Sequence, residues 1–313
     1  MSKSTPQNAT MNAAQWLLLV SLSVVWGGSF FFVEVVVDEL PPFTIVFLRV
    51  LLAAIALHLF LLATGKAFPW RGKAWRVFLF MGLTNNAIPF SLLVYGQTEL
   101  ASGVAAILNA TTPMFTVAIS HFASDDDRLT SLRVAGIVAA IVGVAVMIGT
   151  AGIQGSSQAA LLAYFACIAA PISYSIAVVF GRQMLKRHSI DPILVATGQL
   201  TASSLFMLPL MLWIDQPWTI DTPETITIGA MVGLAVLSTS LAYIGYFKLL
   251  ATAGATNLSL VTILVPVSAI LLGVTILGEE LETRHITGFA LIALGLALVD
   301  GRLFKRKRRF VSP

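Results

Sequence analysis

Ten long apolar segments, separated by short polar stretches, make up most of the chain. Each holds roughly 20 residues, mainly Ala, Val, Leu, Ile and Phe, and this is the length that a helix needs to cross the core of a bilayer. The pattern predicts membrane-spanning helices at 14–36, 43–63, 75–95, 102–122, 132–150, 159–181, 192–213, 226–247, 256–277 and 285–303.

The second half of this pattern repeats the first. The segment 129–149 aligns with 281–301, and Arg49 corresponds to Gln199, with an offset of about 150 residues throughout. Each half holds five spans, an odd number, so the second copy enters the membrane upside down. Such inverted repeats are common in secondary transporters, which bind their substrate near the midplane between the two copies.

The composition indicates an integral membrane protein. The chain has 313 residues, of which 57% are hydrophobic and 11% are charged, whereas soluble domains carry about 25% charged residues. A water-facing surface cannot be built from so few charges. The single cysteine, Cys167, excludes an intrachain disulfide.

The charges also predict the orientation. With both termini in the cytoplasm, 17 of the 19 basic residues face inward, as the positive-inside rule requires. The "KRKRR" run is then a cytoplasmic anchor, not a nucleic-acid site. We predict a tail at 1–13, a first repeat at 14–150, a periplasmic linker at 151–158, a second repeat at 159–303 and a basic tail at 304–313.

Several motifs carry a family resemblance. "VVWGGSFFFVEVVVDELPPFTIVFLRVLLA", "SGVAAILNATTPMF" and "GEELETRHITGFALIALGLALV" resemble, in this order, the EamA family of the drug/metabolite transporter superfamily. The resemblance implies a ten-helix carrier of two five-helix repeats that exports small metabolites, including amino acids, across the bacterial inner membrane. Glu34 departs from the Lys of many relatives, so the resemblance does not supply the substrate.

Arg49 is the most unusual residue inside a span. It lies about 10 Å below the outer end of its helix, at 1.5 Å per residue. A charge in lipid costs several kcal/mol, so Arg49 should face the bundle interior. Three interpretations stay open: an internal ion pair with Glu34, a cavity residue that meets a carboxylate or phosphate, or a side chain that snorkels to the interface.

Other polar and aromatic groups lie within the spans and are either cavity residues or packing contacts. Prolines at matching positions of both halves predict helix breaks, which membrane proteins tolerate where the backbone lines protein or water. The candidate cavity residues are Arg49, Glu34, Trp26, Asn85, Asn86, Tyr95, Asn109, Thr112, Tyr174, Gln199, Tyr243, Tyr246, Asn257 and Thr262, and the predicted breaks are at Pro89, Pro113 and Pro266.

The scaffold and the excluded chemistries complete the prediction. Glycines at corresponding positions of the fifth and tenth spans predict close helix packing. The sequence has no nucleotide-binding P-loop, no H-E-x-x-H and no G-x-S-x-G, so we expect no enzyme, no metal site and no cofactor. The partners expected are a small-molecule substrate and the lipid bilayer. An exporter is the first interpretation, and a facilitative or exchange carrier of organic anions or a non-transporting sensor or scaffold are the alternatives.

Overall fold

The computed structural model describes residues 11–123, 129–149, 158–188 and 190–300, and every regular element in these ranges is helical. The predicted tail 304–313, most of the tail 1–13 and nearly all of the linker 151–158 lie outside them. Ten helices are long and apolar enough to span a membrane: α1 Ala13–Val37, α2 Pro42–Ala63, α3 Ala74–Gln97, α4 Ser102–Ala123, α5 Ser131–Ile148, α6 Gln158–Leu185, α7 Pro192–Asp215, α8 Thr225–Gly254, α9 Leu260–Leu277 and α10 Thr283–Asp300.

The ten predicted spans are therefore confirmed, with one shifted boundary. The eighth helix runs on to Gly254 and the ninth begins at Leu260, where the sequence pattern placed the boundary between 247 and 256. Gly254 has φ of 79° and ψ of 163°, a conformation that ends a regular helix and that glycine adopts without strain. The apolar run hides this boundary because both sides of it are hydrophobic.

Helix contacts recur with a shift of five helices. The packing of α1 on α8 and α9 has its counterpart in the packing of α6 on α3 and α4, and α2 meets α8 as α7 meets α3. Three pairs, α2–α7, α4–α9 and α5–α10, are their own counterparts. This is the pattern that two copies related by a twofold axis produce, so it supports the inverted repeat.

The α5–α10 pair packs most closely. A Cβ on Gly143 would lie 2.7 Å from the carbonyl oxygen of Gly288, and a Cβ on Gly136 would lie 2.6 Å from that of Gly295. Side chains longer than hydrogen would separate the two backbones here, so the glycine positions explain the contact.

The ends of α2 and α7 are joined by polar contacts. At one end the Asp215 carboxylate accepts hydrogen bonds from the backbone N–H and hydroxyl of Thr44, at 2.6 and 2.9 Å. At the other end the Lys66 ammonium lies 2.5 Å from the Asp191 carboxylate. We call the end with Lys66, Arg76 and Arg133 the basic end and the end with Asp215 the acidic end.

Enlarging Gly143 should destabilise the bundle. Gly143→Val places two methyl groups against Gly288 and Ile292, and overpacking of this kind costs about 1–3 kcal/mol. We expect a lower midpoint of thermal unfolding in detergent, measured by tryptophan fluorescence. Gly229→Ala is the matched control, because nothing lies within 4 Å of a Cβ built there. An unchanged midpoint for Gly143→Val would contradict the packing argument.

The Lys66–Asp191 contact should make stability depend on pH in one direction. The hydrogen bond from Lys66 holds the pKa of Asp191 below its ordinary value of 3.8. A depressed pKa contributes stability above the unfolded pKa, and this contribution is lost as pH falls through the folded value. Both side chains are partly exposed, so the contribution is about 0.2–1 kcal/mol. Lys66→Ala should unfold at a slightly lower temperature than the native chain at pH 7, and this difference should shrink as pH falls below 3.8 and vanish only below the lowered pKa of Asp191.

Candidate functional site

Arg49 is buried against groups from two other helices. Only 7% of the residue is exposed, and its Nε donates a hydrogen bond to the hydroxyl oxygen of Thr239 on α8, at 3.0 Å. Its guanidinium carbon lies 3.7 Å from the centroid of the Phe90 ring on α3, a cation–π contact. The Phe90 ring in turn lies 6.5 Å from Tyr174 on α6. Arg49 therefore faces the bundle interior, and it does not snorkel.

Three amide side chains and a phenol lie beside it. The Asn85 Nδ2 donates to the Tyr243 hydroxyl at 3.2 Å and is 3.4 Å from the Gln199 Oε1. The Tyr243 hydroxyl donates to the Asn86 Oδ1 at 3.2 Å. The Asn86 Nδ2 is buried and has no hydrogen-bond partner among the described residues. We name Arg49, Asn85, Asn86, Phe90, Tyr174, Gln199, Thr239 and Tyr243 the central cluster.

The helices that carry the cluster are locally widened. Leu83–Ala87 of α3, which holds Asn85 and Asn86, and Gly233–Leu241 of α8, which holds Thr239, are both π-helical. They start 150 residues apart, so they occupy corresponding places in the two halves. π-Helical turns are rare and are frequent at functional sites. In the second of them the Thr239 hydroxyl donates to the Leu234 carbonyl, five residues back, at 2.8 Å.

Glu34 lies apart from Arg49. Its Oε2 accepts a hydrogen bond from the Gln97 Nε2 at 3.1 Å, and the same nitrogen is 2.9 Å from the Phe30 carbonyl oxygen. The ion pairs among the described residues do not include Arg49 with Glu34. Arg49 contacts Phe90 of α3 and Thr239 of α8, whereas Glu34 contacts Gln97 at the C-terminal end of α3.

Aromatic rings connect α1 to the cluster. The rings of Trp26 and Tyr246 are 5.6 Å apart, those of Tyr246 and Phe247 5.2 Å, and those of Phe247 and Tyr243 6.3 Å. Two predicted residues, Trp26 and Tyr246, thus lie beside the central cluster without entering its hydrogen bonds.

The fourth helix is interrupted where the sequence predicts it. The helical segments Ser102–Asn109 and Thr112–Ala123 flank a turn, and Pro113 lies at the start of the second segment. The Thr112 hydroxyl donates to the Asn109 carbonyl at 2.7 Å, and the Asn109 Oδ1 is buried and finds no hydrogen-bond partner in the part of the chain that the structure describes. Ser175, next to Tyr174, donates to the Thr112 carbonyl at 2.9 Å, so the interruption adjoins the cluster.

Four predicted positions lie elsewhere. Tyr95 is 38% exposed near the acidic end, and the amide of Asn257, which lies between α8 and α9, donates to the carbonyl of Ala253 near the end of α8. Thr262 lines a separate cavity at the basic end. Pro266 lies within the uninterrupted segment Leu260–Leu272, so the predicted break is not found there. This helix packs on α1 and α4. Pro89, in contrast, begins a helical segment after the π-helical turn.

Sequence reasoning missed Phe90 and Thr239. Thr239 could have been predicted as a cavity residue, because it belongs to the polar run "STS" inside an apolar span. Phe90 could not have been predicted, since a phenylalanine that contacts a buried cation cannot be told by sequence from one that contacts lipid.

Thr239→Val should destabilise the fold. The change keeps the shape but removes the acceptor of the Arg49 Nε, and an unsatisfied buried donor costs about 1–3 kcal/mol, more when charged. We expect a lower midpoint of thermal unfolding, with Thr239→Ser restoring most of it because serine keeps the hydroxyl. Equal midpoints for the valine and serine variants would show that the hydroxyl does not hold Arg49.

Comparisons with known proteins agree on the family. The model of the EamA-like transporter family matches residues 14–149 and again 161–300. The chain is 28% identical to a probable amino-acid metabolite efflux pump of Salmonella typhimurium, over 91% of this chain and 94% of the relative. It is 24% identical to an uncharacterized inner membrane transporter, YedA, of Escherichia coli, over 94% of each. A solved crystal structure shares the fold, with a TM-score of 0.65, 19% identity and coverage of 94% and 98%. The chain belongs to the EamA-like transporter family.

Proposed function

We propose that this protein is a secondary transporter that exports small polar or amphipathic metabolites, of which amino acids are the leading class. The observation that carries the proposal is a buried guanidinium that contacts a hydroxyl and a ring, beside an Asn86 amide nitrogen that has no hydrogen-bond partner among the described residues. Buried polar groups are normally satisfied. A group left unsatisfied in the centre of a transporter is ready for a ligand.

The chemistry of the central cluster favours a carboxylate. A guanidinium binds carboxylates in a two-pronged geometry, and the burial of Arg49 makes an incoming anion more favourable than it would be in water. The amide and phenol oxygens accept hydrogen bonds from an ammonium group. The rings of Phe90, Tyr174 and Tyr243 offer apolar surface to a hydrocarbon side chain. An amino acid with an apolar side chain presents all three features.

Both halves of the chain contribute to this cluster. Arg49, Asn85, Asn86 and Phe90 come from the first repeat, and Tyr174, Gln199, Thr239 and Tyr243 come from the second. A movement of one half against the other would open the cluster to either side, which is alternating access. The name of the Salmonella relative supports outward transport.

An exchange or facilitative carrier of organic anions is the second candidate. Arg49 can bind a carboxylate. Among the described residues, however, no acidic side chain lies beside the cluster to pair with a substrate ammonium. The nearest candidate for proton coupling, Glu34, is bonded to Gln97 at a separate position. A non-transporting sensor or scaffold is a third, remote candidate.

We also propose the bacterial inner membrane as the location, with both termini in the cytoplasm. The distribution of basic residues supports this orientation, and the E. coli relative is named as an inner membrane transporter. The basic end would then face the cytoplasm.

Transport by purified protein in liposomes tests the proposal. The panel pairs apolar L-amino acids with their N-acetyl derivatives, which keep the carboxylate and lose the ammonium charge. Movement of the amino acids supports the first candidate, and movement of the N-acetyl compounds alone supports the anion carrier. Arg49→Ala should lower the rate at least about tenfold, since loss of a buried charge contact costs about 2–5 kcal/mol. Arg49→Lys should keep part of the rate because it keeps the charge.

Two controls separate binding from stability. Arg76→Ala removes an exposed basic residue outside the cluster and should transport normally. The unfolding midpoint of each variant is measured alongside. If Arg49→Ala transports at the native rate, Arg49 is a packing residue and the substrate site lies elsewhere.

A further inference from the structure

Carboxylates at the acidic end bind the first turns of helices that belong to the other repeat. The Asp215 carboxylate, at the end of α7, accepts hydrogen bonds from the backbone N–H and the hydroxyl of Thr44 in the first turn of α2. The Glu279 carboxylate, between α9 and α10, accepts from the backbone N–H groups of Ser102 and Gly103, at 2.9 and 3.3 Å, where α4 begins.

A third contact of this kind joins α1 to α8. The Glu39 carboxylate, between α1 and α2, accepts a hydrogen bond from the backbone N–H of Glu224, the residue before α8, at 2.8 Å. Glu39 and Glu224 belong to different repeats, as do the residues of the two other contacts. We call Asp215, Glu279 and Glu39, with the donors from which they accept, the acidic latch.

We propose that the acidic latch is a gate that holds the two repeats together at the acidic end and opens when the substrate passes through that end. The movement of the repeats rests on the proposed function, whereas the contacts of the latch do not. The three carboxylates are thus positioning residues, because they act on access to the central cluster and not on the substrate itself.

The chemistry of these contacts suits a gate. The first N–H groups of a helix have no partner within the helix and carry a partial positive charge, so a carboxylate there makes a charge-assisted hydrogen bond. Each of the three contacts bridges the two repeats, so a movement that separates the repeats at the acidic end breaks all of them. Because they lie at the ends of the helices, water can solvate the separated groups, and no polar group is left buried without a partner.

The turn that carries Glu279 is fitted to the latch. The Glu279 backbone N–H donates to the Gly273 carbonyl at 3.0 Å, so the chain folds back over the end of α9. A Cβ on Gly273 would collide with the Glu279 carboxylate. The carboxylate therefore occupies the space that this glycine leaves open, and a side chain on Gly273 would displace it from α4 without a change in charge.

The basic end has a counterpart to one of these contacts. Lys66, just after α2, meets Asp191, just before α7, as Asp215 at the end of α7 meets Thr44 at the start of α2. Helices α2 and α7 are thus joined at both ends. Alternating access opens the two ends in turn, so weaker contacts at the acidic end should favour the state that is closed at the basic end.

Distances between spin labels measure this gate without knowledge of the substrate. The labels are attached to pairs of introduced cysteines in the full chain with Cys167→Ala, in phosphatidylcholine nanodiscs. Glu99→Cys with Asp221→Cys places one label on each repeat at the acidic end, and Lys73→Cys with Ala251→Cys does so at the basic end. All four positions are exposed and lie outside the latch.

We expect loss of charge in the latch to shift both distances, in opposite directions. Glu279→Gln keeps the shape and an acceptor but loses the charge, and charge-assisted hydrogen bonds are roughly twice as strong as neutral ones. The ratio of molecules with the longer to those with the shorter acidic-end distance should rise at least about threefold, while the basic-end distance shortens. The triple variant with Asp215→Asn, Glu279→Gln and Glu39→Gln should raise this ratio at least about tenfold.

Two further variants separate the latch from a general effect of charge. Gly273→Ala should act like Glu279→Gln, because its Cβ displaces the carboxylate from α4. Glu280→Gln removes the same charge from the exposed neighbouring residue, which takes no part in the latch, and it should leave both distances unchanged. A shift with Glu280→Gln equal to that with Glu279→Gln would overturn the proposal.

The triple variant also distinguishes a gate from helix caps that only stabilise the fold. Unchanged acidic-end distances, with or without a lower midpoint of thermal unfolding, overturn the gate, and so does lengthening at both ends, which indicates loss of packing. If the native chain moves no substrate in liposomes while the latch variants still shift the two distances in opposite directions, the proposed function fails and the gate stands.

Discussion

The central constraint is the cost of polar groups within a bilayer. Each buried donor or acceptor needs a partner, and a charge needs more than one. Arg49 meets this demand with a hydroxyl, an aromatic face and the surrounding polar cluster. Those partners come from α3 and α8, and Gln199 of α7 bonds to Asn85, so four helices meet at this cluster.

Two regions of the bundle differ in how their helices are built and packed. Glycines let α5 and α10 pack backbone to backbone, which suits a rigid support. The helices around Arg49 instead contain π-helical turns and a proline-flanked interruption. Irregular backbone of this kind is frequent at functional sites, which agrees with a substrate site proposed there. The contact of Asp215 with Thr44 joins α2 and α7 at one end, and the contact of Lys66 with Asp191 joins them at the other.

The sequence predicted the ten spans and six of the eight residues of the central cluster. Hydrophobic length decides a span, and polar residues in apolar spans stand out, so Arg49, Asn85 and Gln199 were visible. Phe90 was not, because burial beside a cation is a tertiary property. The π-helical turns were also invisible, since they have no composition of their own. The partner of Arg49 could not be predicted, because the sequence does not show which face of α2 turns towards which neighbouring helix.

The two halves share a fold, but the buried charge of Arg49 has no charged counterpart in the second half. Arg49 corresponds to Gln199, and the Asn85–Asn86 pair corresponds to Ala235 and Val236. Packing between helices needs only matching shapes, so it can be nearly symmetric, as the recurring contacts are. A substrate with a distinct carboxylate end needs an asymmetric partner. On the proposed function, a bundle that holds its buried positive charge in one half would therefore bind such a substrate in one orientation, with its carboxylate towards α2, while a pseudo-symmetric scaffold would let the cluster open to either side.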